Sequence, residues 1–253
     1  MARLRSWLRL ILVAKTTALF FGLWYFGRLF LIGRLRTRSR WRRFNFGGWA
    51  RAVLRILKVE VEVVGRPPEP PFLLVSNHLS YLDIVVLSSL ADTVFVAKSE
   101  VESWPVLGFI VRNMDTIFVD RNLRRDIPRV VAQIEDAFEA GEGVVIFPEG
   151  TSTPGEAVAP FRPSLLEPAA RGSLPVRTAA LGYDTPDGQP TARETVCWWG
   201  EMTFRPHFLR LLALPSLSAR VAFGGEVVRD SDRKRLAERL EAGVRSLFVP
   251  VEA

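Results

Sequence analysis

The sequence is poor in the residues that most often build metal and redox sites. Its 253 residues include one cysteine, Cys197, and two histidines, His78 and His207. A single thiol excludes an intrachain disulfide, and no Cys/His group has zinc-ligand spacing. Both facts fit a protein that works at a reducing, cytosol-facing surface. No Gly-x-Ser-x-Gly elbow is present, so a serine acyl-enzyme of that kind has no support. Lysine is scarce too. Of 34 basic residues only Lys15, Lys58, Lys98 and Lys234 are lysines. No metal, nucleotide or redox cofactor is expected.

Acid is missing from one region altogether. Residues 1–58 carry 14 Lys/Arg and no Asp or Glu, while the remainder carries 20 basic and 27 acidic residues, a net −7. The overall +7 is therefore a basic arm on a mildly acidic body. That split argues against a general nucleic-acid surface and for one anionic partner met by one end. The same end is apolar: Leu10–Gly33 is nearly continuous hydrophobe, broken by Lys15 and Arg28. As a helix it is long enough for a ~30 Å hydrocarbon core. A charge at the bilayer centre costs roughly 2.5–3.5 kcal/mol on insertion scales, however, and both flanks are basic. A helix that enters one leaflet and returns satisfies both flanks, with "WRRFNFGGWARAVLRIL" as the returning or surface-lying helix. The competing reading is a helix buried against the body. Residues 1–58 are thus expected to be a helical membrane anchor.

From Lys58 onward, strand and helix signals alternate. "KVEVEVVG", "FLLV", "TVFVAK", "DTIFVD", "GVVIF", "LPVRTAALGY", "TARETVCWWG" and "SARVAFGGEVV" read as strands. "DIVVLSSLA", "RRDIPRVVAQIEDAFEAG" and residues 231–247 read as helices, with "WPVLGFIVRN" a short helix or turn. Residues 59–253 are expected to form one α/β domain, its largely parallel or mixed central sheet flanked by helices.

In such sheets ligands collect beyond the carboxyl ends of the strands. Four polar stretches fall there: "SNHLSYLD", "KSE", "DRN" and "PEGTS". In the first, Ser80 and Asp83 have capping-box spacing at a helix start, which explains both residues without function. His78 is left over. With His78 just before the helix and Asp83 in its first turn, the side chains can meet, and the acid would orient the imidazole. Structural and catalytic readings both stand at this point. No nucleophile accompanies the pair; Cys197 in "VCWWG" reads as core. His78 would then activate a substrate's own hydroxyl. Lys98, ending a strand nearby, could steady a carbonyl or phosphate or be a solvated lysine. His207 lies outside every motif and reads as a surface or interface histidine.

Taken together, "NHLSYLD", "IFVDR", "FPEGTS" and "LPVRTAAL" resemble, in order and over about residues 70–182, the four sequence blocks of the glycerolipid acyltransferases, which include the 1-acylglycerol-3-phosphate acyltransferases. The resemblance implies that His78 is the base and Asp83 its orienting acid. It implies that Arg121, Glu149, Gly150 and Thr151 hold an acceptor's phosphate and glycerol. It implies a membrane-bound enzyme on the cytoplasmic membrane, its site facing the cytoplasm, using acyl-CoA or acyl carrier protein to convert lysophosphatidic acid to phosphatidic acid. Ser152 stands where the third block commonly has arginine, and Arg177 is unusual in the fourth. Another lyso-lipid acceptor, such as lyso-ornithine lipid, is the alternative, and a non-catalytic lipid-binding protein is the second.

Overall fold

A computed structural model describes residues 2–30, 35–104, 107–120, 126–172 and 174–252. Two long helices, α1 (Ala2–Phe30) and α2 (Leu35–Leu57), precede seven strands: β1 (Val59–Val64), β2 (Phe72–Ser76), β3 (Thr93–Lys98), β4 (Ile117–Val119), β5 (Gly143–Ile146), β6 (Val176–Asp184) and β7 (Leu217–Phe223). They form one sheet in the order β1-β7-β6-β2-β5-β3-β4. Strands β2 to β6 are mutually parallel. Strand β7 runs antiparallel to β6, and β1 is parallel to β7. The expected mixed α/β sheet is present. Central β2 and β5 are buried at every position, as strands covered on both faces must be, whereas β1 at the edge alternates Val and Glu.

Helices cover both faces. On one side α1, α2, α3 (Leu82–Leu90) and α8 (Phe204–Ala213) share an apolar cluster that includes Trp24, Phe46, Leu57, Leu82 and Leu212. On the other, α5 (Ile127–Glu139), α6 (Glu167–Arg171) and α9 (Arg233–Leu247) share a second cluster. Helix α5 buries Val130, Ile134 and Ala137, a single stripe, and ends just before Gly141. Gly141 takes φ +76°, Glu142 N–H reaches Ala137 O and Gly141 N–H reaches Phe138 O. That is a Schellman stop, a conformation that favours glycine. One expectation fails. "TARETVCWWG" is not a strand: Thr191 and Glu194 form a capping box that starts the short helix α7 (Ala192–Thr195), and the rest is loop. The short α4 spans Leu107–Asn113.

Helices α1 and α2 form a hairpin with two different outer surfaces. Gly27 brings α1 so close to Trp41 that an added Cβ would lie 2.0 Å from the indole nitrogen. The Trp24 and Phe46 rings meet at 5.3 Å, tilted by 59°, and Asn45 donates to Phe20 O at 2.9 Å. The inner face of α1 buries Ser6, Arg9, Phe21, Trp24 and Gly27. The opposite face exposes Leu4, Leu8, Ile11, Leu12, Leu19, Phe26 and Phe30. A helix with one docked face and one bare apolar face, long enough to cross a membrane, points to membrane association.

Helix α2 also carries the charge that fastens the hairpin. Arg42 is 2% exposed, with Nη2 3.1 Å from Asp92 and 2.9 Å from Glu142, and Nη1 donating to Thr93 O at 3.1 Å. Asp92 and Glu142 stand at the amino ends of neighbouring β3 and β5. Removing the guanidinium leaves two buried carboxylates facing each other. Arg42→Ala should lower unfolding stability by about 3–5 kcal/mol. Denaturant titration in detergent measures it, and a change under about 1 kcal/mol would contradict this role.

Candidate active site

The parallel strands β2, β3, β4 and β5 deliver His78, Lys98, Asp120 and Glu149 to one edge. Val75 and Val96 both pair with Ile146, and Lys98 pairs with Val119, so the four chain exits lie side by side. The corner after β2 is fixed by Asn77. Its amide donates to Leu181 O at 2.9 Å and accepts from Leu181 N–H at 2.8 Å, extending the ladder to β6 by a side chain. His78 follows. Its N–H donates to Glu149 Oε2 at 3.0 Å, and its carbonyl accepts from Thr153 N–H at 2.9 Å. Its ring stacks on Phe147 at 4.3 Å and 16°.

His78 Nδ1 lies 2.7 Å from Asp83 Oδ2. That oxygen also accepts from Leu79 N–H at 2.7 Å and Ser80 N–H at 3.0 Å, and Oδ1 accepts from Tyr183 Oη at 2.7 Å. Asp83 is fully buried, so these donors replace its water. Burial, then the nearby Asp83 charge, pushes the Tyr183 phenol well above its usual range, which keeps it a donor. With Nδ1–H given to Asp83, Nε2 is the nitrogen free to take a proton, on a side chain that is 21% exposed. The capping expectation holds in altered form. The helix proper begins at Leu82, not after Ser80, while Ser80 Oγ still accepts from Leu82 N–H at 3.3 Å. Asp83 therefore serves the helix start and the histidine at once.

Glu149 is 3% exposed and accepts a backbone N–H on each oxygen, from His78 and from Ala159, both at 3.0 Å. It clamps the loop after β5 to the histidine. Burial pushes its carboxyl up to about 8, against the two N–H bonds, with Asp83 and Glu241 adding to the rise. Gly150 closes a turn on Phe147 O with φ +78°; Thr151 is exposed beside it. Ser152 Oγ donates to Trp198 O. Lys98 is half-buried at the same edge. Arg121 lies outside the described residues. Arg177 is the second residue of β6 and reaches Gly225 O, at the amino end of the strand and away from this edge.

Two side chains depart from or extend the sequence reading. His207 is not at the surface. It is fully buried: Tyr81 Oη donates to its Nδ1 at 2.9 Å, and its Nε2–H donates to Cys197 O at 3.0 Å. Burial lowers its pKa to about 4, so it is a neutral core group. It braces Tyr81, inside the "NHLSYLD" corner, against the Cys197–Trp198 loop, whose Trp198 N–H donates to Leu79 O at 2.8 Å. Cys197 is buried with its thiol pushed up to about 12, as a core residue would be. Asn77 and Tyr183, by contrast, drew no functional reading from sequence.

Three comparisons place this geometry. A family model described as Acyltransferase matches residues 58–182. The lyso-ornithine lipid O-acyltransferase of Brucella abortus is 34% identical, covering 94% of this chain and 92% of that protein. The 1-acyl-sn-glycerol-3-phosphate acyltransferase of Neisseria meningitidis is 33% identical over 78% of each. The crystal structure of the 1-acyl-sn-glycerophosphate acyltransferase of Thermotoga maritima shares the fold, with TM-score 0.68 over 98% of each chain at 21% identity.

Glu149 gives a signed pH dependence. Native Glu149 keeps its proton to about pH 8, while an unfolded glutamate releases it near 4.5. Its contribution is fully present below pH 4.5 and is lost as pH rises through about 8. Wild-type stability, measured by urea unfolding in detergent, should therefore fall relative to Glu149→Gln between pH 5 and pH 8.5. A constant difference across that range would contradict the assignment.

Proposed function

The chain belongs to the acyltransferase family, and we propose that it is a membrane-bound lysolipid O-acyltransferase in which His78 is the general base. The observation that carries this reading is the His78–Asp83 pair: Nδ1 is held at 2.7 Å by a buried carboxylate, and no activated nucleophile stands beside Nε2 among the described residues. The acceptor hydroxyl gives its proton to Nε2 as its oxygen attacks the acyl thioester carbonyl. The C–S bond then breaks. The departing thiolate is a weak base, its thiol having a pKa of about 8.5, and it takes the proton back from the imidazolium. Asp83 stabilises the imidazolium between the two steps. Acyl-CoA or acyl carrier protein supplies the thioester. Glu149, Gly150 and Thr151 shape the loop beside the histidine, and Lys98 at the end of β3, with Arg121 of the "IFVDR" block, supplies positive charge for the acceptor or the carbonyl.

For the acceptor, lyso-ornithine lipid is the first reading. The relative named for it aligns along nearly the whole chain, including the amino-terminal helices, whereas the Neisseria relative aligns over 78%. Ser152 in place of an arginine also removes a cation that a phosphate monoester would use, and its hydroxyl is turned to Trp198 O. Lysophosphatidic acid, giving phosphatidic acid, is the second reading, favoured by Arg121 in "IFVDR". The intact His78–Asp83 pair weighs against a non-catalytic lipid-binding role.

Residues 1–58 are the anchor and 59–253 the catalytic domain in this reading. Arg5, Ser6 and Arg9 tie the start of α1 to carbonyls at the end of α8, and Tyr25 Oη, near its other end, donates to Asn113 at 2.7 Å. A helix held to the body at both ends lies along one leaflet and leaves the site on the cytoplasmic side, where thioester donors are made.

His78→Ala should lower acyl transfer by roughly 10²–10⁴-fold. Asp83→Asn should do the same while the protein stays folded, because asparagine can still accept from Leu79 and Ser80 N–H. Thiol release by the purified protein reads both; near-normal turnover by either variant would remove the mechanism.

An acceptor panel should rank lyso-ornithine lipid above lysophosphatidic acid in kcat/KM, and the reverse order would promote the second reading. Arg121→Ala should then cost lysophosphatidic acid about one to two orders of magnitude, as loss of a charge-assisted contact does, and lyso-ornithine lipid less.

A further inference from the structure

At the head of α1, a cavity of about 820 Å³, whose lining includes neither His78 nor Asp83 nor Glu149, opens between α1, α7 and α8. Three guanidiniums line it: Arg5 from α1, Arg193 from α7 and Arg210 from the last turn of α8. Its floor is apolar, with Trp199, Met202 and Leu214. The acidic side chain in the lining, Glu194, is occupied in the α7 capping box. Arg193 lies over the Trp199 ring at 5.6 Å and pairs with Glu156, a glutamate whose side chain is 59% exposed. Arg210 is exposed and makes no ion pair among the described residues.

The carboxyl end of a helix normally repels an anion. Here that end is sealed. Arg5 donates to Ala213 O, Arg9 to Leu212, Leu214 and Pro215 O, and Ser6 to Leu209 O. The α8 carbonyls are thus covered by two cations, and the local field in the cavity is positive. Ala2 and Arg5 are the α1 residues in its lining, and beside them on the helix Leu4 and Leu8 are 65% and 52% exposed. A cationic hollow beside an apolar stripe suits a molecule with a charged phosphate and long chains.

We propose that this cavity binds the phosphate of an anionic membrane phospholipid, a second lipid site separate from the acyl-transfer site. The phosphodiester sits among Arg5, Arg193 and Arg210, and the acyl chains run over Leu4 and Leu8. The chemistry recognised is a phosphate, which free inorganic phosphate shares. The lipid is favoured because the apolar half of the site is of use only to a lipid.

Flotation of the full-length protein with phosphatidylglycerol-containing and pure phosphatidylcholine vesicles tests this. A general basic surface also prefers anionic vesicles, so the control removes equal charge elsewhere: Arg51→Gln with Arg55→Gln, both exposed on α2. Arg193→Gln with Arg210→Gln should lower binding to phosphatidylglycerol vesicles roughly tenfold, leave phosphatidylcholine binding unchanged and exceed the control's loss severalfold. Equal losses in the two double variants would overturn the site in favour of a diffuse surface field. Loss of inorganic-phosphate binding in Arg193→Gln with Arg210→Gln, with phosphatidylglycerol-vesicle binding kept at the wild-type level, would overturn the lipid assignment in favour of a free-phosphate site. Near-ultraviolet circular dichroism of the variants, sensitive to the buried tryptophans, confirms that the loss is not unfolding.

Discussion

Everything at the active edge depends on the four hydrogen bonds of the Asp83 carboxylate. Three of them close a loop on itself: His78 Nδ1, Leu79 N–H and Ser80 N–H all point at one oxygen. The fourth comes from Tyr183 on β6, two strand positions past the Leu181 peptide that Asn77 bridges. The corner between β2 and α3 is thereby tied to the neighbouring strand on one side. Glu149 and Thr153 tie it to the loop after β5 on the other. A histidine held by its backbone from one loop, its ring face from Phe147 and its Nδ1 from Asp83 has one orientation left. The acid can be buried because both its oxygens have donors, three on Oδ2 and one on Oδ1.

The hairpin of α1 and α2 is built on the same economy of donors. Arg42 answers two carboxylates at the amino ends of β3 and β5, and Arg5 and Arg9 answer the open carbonyls of α8. Most other basic residues of the first 58 remain at the surface. Among the described residues, the arm therefore uses its charge in two ways: a few cations are buried structural donors, and others, such as Arg3, Lys15 and Arg28 on α1, are exposed. Helix α2 reaches into the same core as α3, whose first turn holds Asp83. Membrane-facing helix and catalytic corner are thus separated by one layer of packed side chains rather than by a flexible linker.

Much of this was legible in the sequence. Alternation of Val and Glu located the edge strand β1, and short continuous apolar runs located strands buried on both faces, such as β2 and β5. The parallel edge followed from alternation of strand and helix, and it placed His78, Lys98 and Glu149 together. What failed was non-local. "TARETVCWWG" has β-prone residues, yet one local capping box decides its fold. Helix α8 gave no clear signal, since its apolar residues are shared between sheet, α1 and the aromatic group around Tyr81. His207 read as a surface residue because histidine usually is. Its burial depends on Tyr81 and the Cys197 carbonyl, 126 and 10 residues away. Tyr183 could not be singled out either, because nothing local shows that a strand-end tyrosine meets an acid 100 residues earlier.

The two readings of the motif, capping and catalytic, are physically compatible. A capping acid and a catalytic acid ask for incompatible things only if each needs the whole carboxylate. Here one oxygen serves the backbone N–H groups and the imidazole together, while the other is held by Tyr183. The helix start thus fixes the distance between acid and base, and the spacing of five residues is a consequence of both roles. Phe147 covers one face of the ring, and Asp83 fills its inner edge. The partly exposed imidazole keeps Nε2 as its uncommitted nitrogen. The thiol of Cys197 is buried and pushed up to about 12. For the acyl transfer proposed above, direct passage from thioester to bound hydroxyl is the route that suits this arrangement.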